Sequence, residues 1–415
     1  MKKTRAFLST IMTILLTAAV LAGLTWAVER KTGYTRIRPF FEEKKDYDVL
    51  FFGTSHMIDG VFPMQLWKDY GITSYNLGGN ANTLPLSYWT MRNALDYTNP
   101  QMVVLDCFQL RVYGKVNPEK LDNYHDIFDS FPLSPNKIYA VTDLFYNKDE
   151  PESFSSEAEF LWDFVQYHSR WSDLKTEDLN PPEGVTKGAE IKVAVTKPPV
   201  HRAVEDDSIF SENTNGVKYL EKIIEECKSR NIKVLLTYIP FSAQPNYQSE
   251  ANRAALIAEE KGVPFINFLK LDGVVDLEID SFDDGHMNGS GARKVTEYLG
   301  KYLKENYGFV DHRTDPEYEN WNQDYRKYRE LIFNYVTVAQ GLSNVLMLLN
   351  EENLVGDIYI PAGYSFSEVN QKLYDQVSDT MALHVVETNG KEKWKVRMII
   401  RDKESGKTIV RRYFT

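Results

Sequence analysis

The sequence is poor in the residues that build disulfide frameworks and metal sites. Only two of its 415 residues are cysteines, Cys107 and Cys227, and its seven histidines form no His-x-x-x-His pair. A cysteine-rich scaffold and a clustered Cys/His metal site are therefore excluded. Cys107 ends an apolar, strand-like run, and Cys227 continues the apolar stripe of a predicted helix. This predicts two buried thiols, while a disulfide between them stays open.

Motifs that bind common cofactors are also missing. The chain contains neither the Gly-x-x-x-x-Gly-Lys motif that cradles phosphates nor the Gly-x-Gly-x-x-Gly motif of dinucleotide-binding folds. We therefore expect chemistry that uses no metal and no other cofactor.

Positive charge is scarce relative to negative charge. Lys and Arg number 48 and Asp and Glu 59, so the net charge is −11. Without Lys2, Lys3 and Arg5, which precede an apolar stretch, the remainder carries 45 − 59 = −14. Nucleic acid is excluded as a partner because neutralising phosphates needs a basic face.

A long apolar stretch without any charge is present, at residues 7–28. At about 1.5 Å per residue it can span a bilayer as a single helix. The cations before it predict a cytoplasmic N-terminus and place everything after Arg30 outside the cell membrane. A cleaved signal peptide is the alternative, although its apolar region is usually shorter, about 7–15 residues.

Beyond Arg30, short β-rich apolar runs alternate with helix-like segments, which predicts an α/β fold with a parallel sheet and helices on both faces. The predicted strands are 48–52, 72–77, 102–107, 233–239 and 264–268. The predicted helices are 86–95, 217–230, 252–260 and 292–306.

Three divisions of the chain follow from this pattern. Residues 1–30 are predicted as the anchor, 31–314 as the sheet domain and 315–415 as a small α+β domain. The third and fourth strands are too far apart for an ordinary crossover, so 113–215 is predicted to be an inserted lid. In the tail we expect a helix at 325–349, a strand at 357–360, a helix at 367–377 and a hairpin at 404–406.

The first chemical candidate is Ser55, which follows the first predicted strand and Gly53-Thr54. A serine at the carboxyl end of a strand, where a helix opens, lies where parallel α/β folds build active sites. Gly53 allows a sharp turn and a close substrate approach. The alternative is that Ser55 only caps the helix.

The second candidate is Asp283 with His286, in a loop before the last helix of the sheet domain. An aspartate three residues before a histidine can orient the imidazole and leave its other nitrogen to deprotonate a serine. Asp284 is the rival acid. The alternative is a solvated acidic loop in which Asn288 caps the next helix.

The third candidate is the stretch Tyr-Asn-Leu-Gly-Gly-Asn-Ala-Asn at 75–82. Small residues with free N–H groups beside asparagine amides can donate hydrogen bonds to an oxyanion. A simple turn without chemistry is the alternative.

Together these segments resemble the SGNH/GDSL hydrolase superfamily, and within it the membrane-anchored bacterial branch that includes D-alanyl-lipoteichoic-acid transfer and alginate O-acetylation proteins. The resemblance covers roughly residues 46–308, and Asp-x-x-His-x-Asn-x-x-Gly from Asp283 is its most specific part. It implies a flavodoxin-like three-layer α/β/α sandwich. It also implies acyl transfer through a covalent acyl-serine.

The resemblance implies a role for each matching residue. Ser55 matches the nucleophile, His286 the base, Asp283 the orienting acid and Gly78 the oxyanion glycine. The chain departs from the family at 106–109, which read Asp-Cys-Phe-Gln where a Gly-x-Asn-Asp block should supply an oxyanion asparagine.

Other side chains are candidates for the oxyanion hole and for substrate binding. Asn80, Asn82 or Gln109 must replace the missing asparagine. His56 could contact the substrate or simply decorate its helix.

The lid segment 167–171 contains His168, Arg170 and two aromatic residues. This combination would suit a glycan with an anionic group. The alternative is that the cluster packs the lid against the sheet domain.

The sequence thus predicts an extracytoplasmic, single-pass serine esterase or O-acyltransferase. Its expected substrate is an acetyl or D-alanyl group on an acylated cell-envelope glycan or teichoic acid, and a membrane-embedded acyl-transfer protein is a candidate partner. The alternative hypothesis is that the protein is not an enzyme but a catalytically silent surface scaffold or glycan-binding protein.

Overall fold

The computed structural model describes residues 2–43, 45–146, 157–199, 208–350, 353–379, 383–388 and 395–414. Five strands form a parallel sheet with the order β2-β1-β3-β4-β5. Each lies inside one of the predicted runs, with the bounds β1 Val49–Phe52, β2 Ser74–Asn76, β3 Met102–Asp106, β4 Lys233–Tyr238 and β5 Phe265–Asn267.

The sheet is buried on both faces, which explains why its strands are continuous apolar runs. Successive side chains of a strand point to opposite faces. Leu50 and Phe52 accordingly belong to one apolar cluster, and Val49 and Phe51 to another. The predicted α/β fold with a parallel sheet between helical layers is confirmed.

Helices lie on both faces of this sheet, and further helices precede and follow it in the chain. Their bounds are α1 Lys2–Val28, α2 Arg38–Glu43, α3 Ser55–Gly60, α4 Pro63–Tyr70, α5 Leu84–Ala94, α6 Leu121–Phe128, α7 Pro135–Phe145, α8 Glu157–Leu161, α9 Asp163–Tyr167, α10 Thr176–Leu179, α11 Asn215–Ser229, α12 Pro245–Lys261, α13 Leu277–Asp280, α14 Gly289–Tyr307, α15 Glu319–Val338, α16 Leu342–Leu348 and α17 Glu368–Asp379. Helices α5, α11 and α12 cover one face of the sheet, and α14 covers the other.

Helix α1 is long and apolar enough to cross a membrane, judged by length and composition. Within Lys3–Val28, the most apolar 18-residue window has a mean hydropathy of 2.2, and none of this window is buried against the rest of the protein. The two cysteines lie elsewhere: Cys107 and Cys227 are free and buried, so the predicted core thiols are confirmed.

Between β3 and β4 the chain forms helices α6 to α10 and then an extended segment at 188–196. This segment runs beside α3 and the loop before α14. Glu190 N–H donates to the Ile58 carbonyl at 3.1 Å, and Gly289 N–H donates to the Lys192 carbonyl at 3.0 Å. A part of the predicted lid is therefore bound to the carboxyl edge of the sheet.

The tail contains a second sheet with the order β7-β6-β8-β9, formed by β6 Leu354–Pro361, β7 Leu383–Thr388, β8 Val396–Asp402 and β9 Thr408–Phe414. The predicted hairpin at 404–406 joins β8 and β9. The single helix predicted at 325–349 is wrong: the chain breaks between α15 and α16 at Gly341, whose φ is +81°.

The two sheets are not separated by a gap in the apolar core. Leu105 of the first sheet and Ile358 and Met398 of the second belong to one continuous cluster of buried residues. The division of the chain into an anchor, a sheet domain and a C-terminal domain stays a prediction.

Candidate active site

The turn after β1 presents Ser55 at the first position of α3. Gly53 has φ +150°, and a Cβ at this position would lie 2.8 Å from the Cβ of Asp106, so only glycine fits. Thr54 is the residue that caps α3, since its hydroxyl accepts from His56 N–H at 3.2 Å. The alternative reading of Ser55 as the cap is therefore wrong, and its hydroxyl is available to other partners.

Ser55, His286 and Asp283 form a continuous chain of hydrogen bonds. Ser55 Oγ lies 2.8 Å from His286 Nε2, and His286 Nδ1 lies 2.8 Å from Asp283 Oδ1. With Nδ1–H donating to the carboxylate, Nε2 is left to accept from the serine hydroxyl. The imidazole is 29 % exposed, so a substrate can reach it. The catalytic roles of the three residues stay predictions.

The loop holding His286 is organised by Asp283. Its Oδ1 also accepts the backbone N–H groups of Gly285 and His286, both at 2.9 Å. Burial alone would raise the pKa of Asp283, but these hydrogen bonds and the imidazole outweigh burial and lower the pKa. The carboxylate is therefore ionised at neutral pH and suited to stabilise an imidazolium.

Asn288 caps helix α14, as the alternative interpretation of this loop predicted, and it directly follows the segment that holds Asp283 and His286. Its Oδ1 accepts Ser290 N–H at 2.9 Å and Gly291 N–H at 3.2 Å. The same asparagine donates to the Ile279 carbonyl at 2.8 Å, which ties α14 to the preceding segment. Capping and the Asp-His pair therefore coexist in one loop.

Gly78, the predicted oxyanion glycine, lies against the turn that carries the serine. A Cβ at Gly78 would lie 3.0 Å from the Thr54 carbonyl oxygen, so the approach is close. However, its N–H is already donated to Asn76 Oδ1 at 3.1 Å. Gly78 is therefore in place beside the nucleophile, but its N–H must give up or share this bond to reach an oxyanion.

Asn76 belongs to the predicted oxyanion stretch 75–82, where it was given no role of its own, and it acts as a positioning residue. Its buried Nδ2 donates to the carbonyls of Met57 at 2.7 Å and Val61 at 3.0 Å, both at the α3 helix. Its Oδ1 accepts the Gly78 N–H. One side chain thus fixes the glycine loop to the helix that carries the serine.

The other candidates for the oxyanion hole differ in burial. Asn80 is a partly exposed turn residue. Asn82 is fully buried, and neither atom of its side-chain amide has a partner among the described residues. Gln109 has φ +80°, a conformation that is uncommon for a residue with a side chain. Asn82 is the candidate with an amide group still to be satisfied.

His56 is a buried residue that packs between two phenylalanine rings and the His286 imidazole. Its ring lies 4.3 Å from that of Phe108, 4.6 Å from that of Phe241 and 5.7 Å from the His286 imidazole. Burial, with the neighbouring His286, lowers its pKa to about 3, so His56 is neutral at physiological pH. It offers a substrate an apolar ring surface rather than a charge.

His168 and Arg170, predicted to bind substrate, are not part of this group. His168 is exposed and its Nδ1 lies 2.9 Å from the Val165 carbonyl. Arg170 contacts the Val28 carbonyl and Asp178, at the end of α1. Substrate binding by His168 and Arg170 stays a prediction. The bond from Arg170 joins the cluster to the end of α1, whereas the alternative was a contact with the sheet domain.

Three charged residues near the site, Asp59, Glu190 and Lys192, were not singled out from the sequence. Lys192 Nζ lies 2.9 Å from Glu190 Oε2 and 3.6 Å from the buried Asp59 Oδ1. Burial raises the pKa of Asp59 to about 7, although Lys192 opposes the rise. Charged and apolar residues alternate only over 190–193, which is a weak signal for this segment.

Among the described residues, no group of three or more His, Cys, Asp or Glu side chains is arranged to hold a metal ion.

Comparisons with known proteins give weak similarities only. No family model matches the sequence, and no curated protein matches it. A provisionally assigned acylhydrolase from Bacteroides fragilis has 12 % identity and a TM-score of 0.33, covering 66 % of this chain and 97 % of its own. A GDSL-like lipase from Bacteroides thetaiotaomicron has 14 % identity and a TM-score of 0.31, covering 64 % and 90 %.

An acetyl xylan esterase from Butyrivibrio proteoclasticus has 10 % identity and a TM-score of 0.27, covering 63 % of this chain and 64 % of its own. Similarities of this strength do not establish a family. The chemistry of the site therefore rests on its own geometry.

Proposed function

We propose that this protein is a membrane-anchored, extracytoplasmic serine esterase or O-acyltransferase of the SGNH type. The observation that carries the proposal is the chain from Ser55 Oγ to His286 to Asp283, with two contacts of 2.8 Å. These distances lie within the range for nucleophile activation by a general base. An ionised aspartate, an imidazole and a hydroxyl in series have the order of a serine-hydrolase triad.

In the proposed first step, Ser55 Oγ attacks the carbonyl carbon of an ester while His286 Nε2 takes the hydroxyl proton. The tetrahedral intermediate then collapses, the ester C–O bond breaks, and the imidazolium returns its proton to the leaving alcohol. An acyl-serine remains. In the second step, water or a sugar hydroxyl attacks the acyl carbon while His286 Nε2 takes its proton. The bond from the acyl carbon to Ser55 Oγ then breaks, the imidazolium returns the proton to Oγ, and a carboxylic acid or an acylated sugar is released.

The oxyanion of the intermediate needs donors that already face it. Ser55 N–H is one candidate, because the first residue of a helix has no intrahelical acceptor for its N–H. Gly78 N–H is the second, released from Asn76 when substrate binds. Asn82, with its unsatisfied amide, is a third donor that a small loop movement could recruit.

The proposed substrate is an acetyl or D-alanyl ester on a cell-envelope glycan or teichoic acid. The resemblance to the membrane-anchored SGNH branch supports this substrate class, and the apolar α1 supports a location at the cell membrane. A membrane-embedded acyl-transfer partner fits the same resemblance. Whether the acceptor is water or a sugar hydroxyl decides between esterase and transferase.

A serine-directed fluorophosphonate tests the nucleophile directly. The full-length protein in detergent should become labelled on Ser55, and Ser55→Ala should abolish the labelling. Ser242→Ala is the matched control, because Ser242 follows β4 at the same edge of the sheet and should not affect labelling. A folded wild-type protein that is not labelled would overturn the proposal in favour of a silent scaffold.

The same preparation separates the two reactions. Unlabelled protein that hydrolyses p-nitrophenyl acetate with turnover, and loses this activity once the fluorophosphonate has reacted with Ser55, is an esterase. Protein that forms the acyl-serine but releases it only when a glycan hydroxyl is added is a transferase, because an acyl-enzyme that excludes water needs its acceptor.

A further inference from the structure

The C-terminal end of the apolar helix α1 is hydrogen-bonded to the lid region. The Trp162 indole N–H donates to Thr25 Oγ1 at 3.0 Å, and Arg170 Nη1 donates to the Val28 carbonyl at 2.6 Å. Helices α9 and α10 and the 3₁₀ turn His168–Ser172 contact the same end of α1. The lid region therefore packs against the last turns of the helix.

Buried charges fix this junction. The side chain of Glu29 is only 9 % exposed and lies 3.3 Å from Lys31 Nζ and 3.0 Å from Arg38 Nη1. The Tyr34 hydroxyl donates to the same carboxylate, and Lys31 also donates to the Trp26 carbonyl. Removing one partner of a buried ion pair is costly, so these bonds hold α1 at a fixed angle to the rest of the protein.

Four large apolar side chains on α1 and on the segments that contact it are exposed. Trp171 is 74 % exposed, Leu179 57 %, Trp162 42 % and Trp26 40 %. We call these four residues the tryptophan face. A cluster of exposed apolar side chains is unfavourable in water and marks a contact surface. Tryptophan in particular is enriched where lipid headgroups meet hydrocarbon, because its ring is apolar and its N–H is polar.

The length of α1 gives the depth of this face in a bilayer. The hydrocarbon core is about 30 Å thick, which corresponds to about 20 helical residues at 1.5 Å each. Counting from Phe7, the first large apolar residue after the N-terminal cations, the core ends near Trp26. Trp162 is bonded to Thr25 and so lies at the same depth, at the outer boundary of the core.

We infer that the tryptophan face is a second membrane contact, which lies in the lipid headgroup region of the bilayer that α1 crosses. This inference rests on the anchor in the proposed function. The occupant is lipid rather than a membrane protein, because the four side chains adjoin a helix whose most apolar 18-residue window is not buried against any part of this protein. The lid is thereby seated on the membrane surface, and the sheet domain keeps one orientation above it.

Single introduced cysteines test the contact in the full-length protein. The native Cys107 and Cys227 are fully buried, so a thiol-reactive bimane should label only an added cysteine. Trp171→Cys and Leu179→Cys report on the proposed contact. Val310→Cys is the control: Val310 is 62 % exposed, and the nearby His312 N–H donates to the Gly71 carbonyl before β2, at the amino edge of the sheet.

The labelled proteins are reconstituted in phosphatidylcholine–phosphatidylglycerol vesicles that carry a headgroup-level nitroxide lipid. We expect several-fold stronger quenching at positions 171 and 179 than at 310, and equal quenching of all three in detergent. Equal quenching in vesicles, from protein that resists carbonate extraction, would overturn the contact while the anchor stands. Loss of the protein on carbonate washing would instead contradict the anchor.

Quenching at 171 and 179 in vesicles that contain no other protein excludes a protein occupant. Bimane at 171 and 179 that escapes the nitroxide lipid in these vesicles, but becomes shielded from water in native membranes, would assign the face to a membrane protein and overturn the inference.

Discussion

Two histidine–aspartate pairs in this protein have nearly the same geometry but different surroundings. His286 Nδ1 lies 2.8 Å from Asp283, and His125 Nδ1 lies 2.9 Å from Asp129. The His125 side chain is only 2 % exposed, and its ring stacks on Phe160 at 4.1 Å. A short contact between histidine and aspartate therefore says little about catalysis by itself.

The difference lies in the third group and in access. At the first pair, the Ser55 hydroxyl meets the free imidazole nitrogen and the ring is open to solvent. At the second, the hydroxyl of Tyr167 donates to the aspartate at 2.6 Å rather than to the imidazole. The first arrangement can transfer a proton to a substrate, whereas the second holds α6 to α9.

The largest expected difference in labelling rate is between the variants that remove the two histidines. His286→Ala should lower the rate of fluorophosphonate labelling at Ser55 by about four to six orders of magnitude, since an unassisted serine hydroxyl is a poor nucleophile. His125→Ala should leave that rate nearly unchanged and lower the free energy of unfolding by about 2–4 kcal/mol through the lost packing and hydrogen bond. Labelling kinetics and urea unfolding measure the two effects.

The aspartates should show the same contrast on a smaller scale. Asp283→Asn keeps a polar group beside the imidazole but favours the wrong tautomer, so labelling should slow by about 10⁴-fold with a measurable remainder. Asp129→Asn should lower the free energy of unfolding by about 1–3 kcal/mol, because the bonds to His125 and Tyr167 are impaired. Equal labelling losses in the two variants would mean that the comparison fails.

The smallest effect concerns pH. Burial, together with the charge of Asp129, raises the pKa of Asp163 to about 7, whereas the pKa of Asp283 is lowered. Folded Asp163 holds its proton above the ordinary pKa of about 3.9, so the contribution of Asp163 to the free energy of unfolding should fall by up to about 1.4 kcal/mol per pH unit between about pH 4 and pH 7.

Asp163→Asn should remove this component. The difference in unfolding free energy between the variant and the wild type should therefore move in favour of the variant as the pH rises from 5 to 7. Urea unfolding at both pH values measures it. A difference that is constant with pH would contradict the raised pKa.

The sequence allowed the sheet and the site residues to be predicted because both rest on local patterns. The five strands are apolar runs at the expected positions, and Ser55, Asp283 and His286 are each marked by their immediate neighbours. Parallel strands then bring distant segments to one edge of the sheet by topology alone.

What could not be predicted depends on contacts between distant segments. The bond from Gly78 N–H to Asn76 is local but exists only because α3 orients the asparagine. The bond from Arg170 to the Val28 carbonyl could not be predicted, because it joins the lid to the end of a helix more than a hundred residues earlier. The break at Gly341 depends on a left-handed φ that composition alone does not specify.

The hydrogen bond from Arg36 to Gly78 has a consequence for where this protein can act. Its buried guanidinium donates to the carbonyl of Gly78 at 2.8 Å, only eight residues after α1 ends at Val28. Even fully extended, eight residues reach no more than about 29 Å, and the 3₁₀ turn Thr32–Thr35 shortens that span. If α1 spans the bilayer, Gly78 and the neighbouring Ser55 are held near the membrane surface. Under the proposed function, an acylated polymer would then react while it is still held at the membrane, and chains already incorporated further out would escape the reaction.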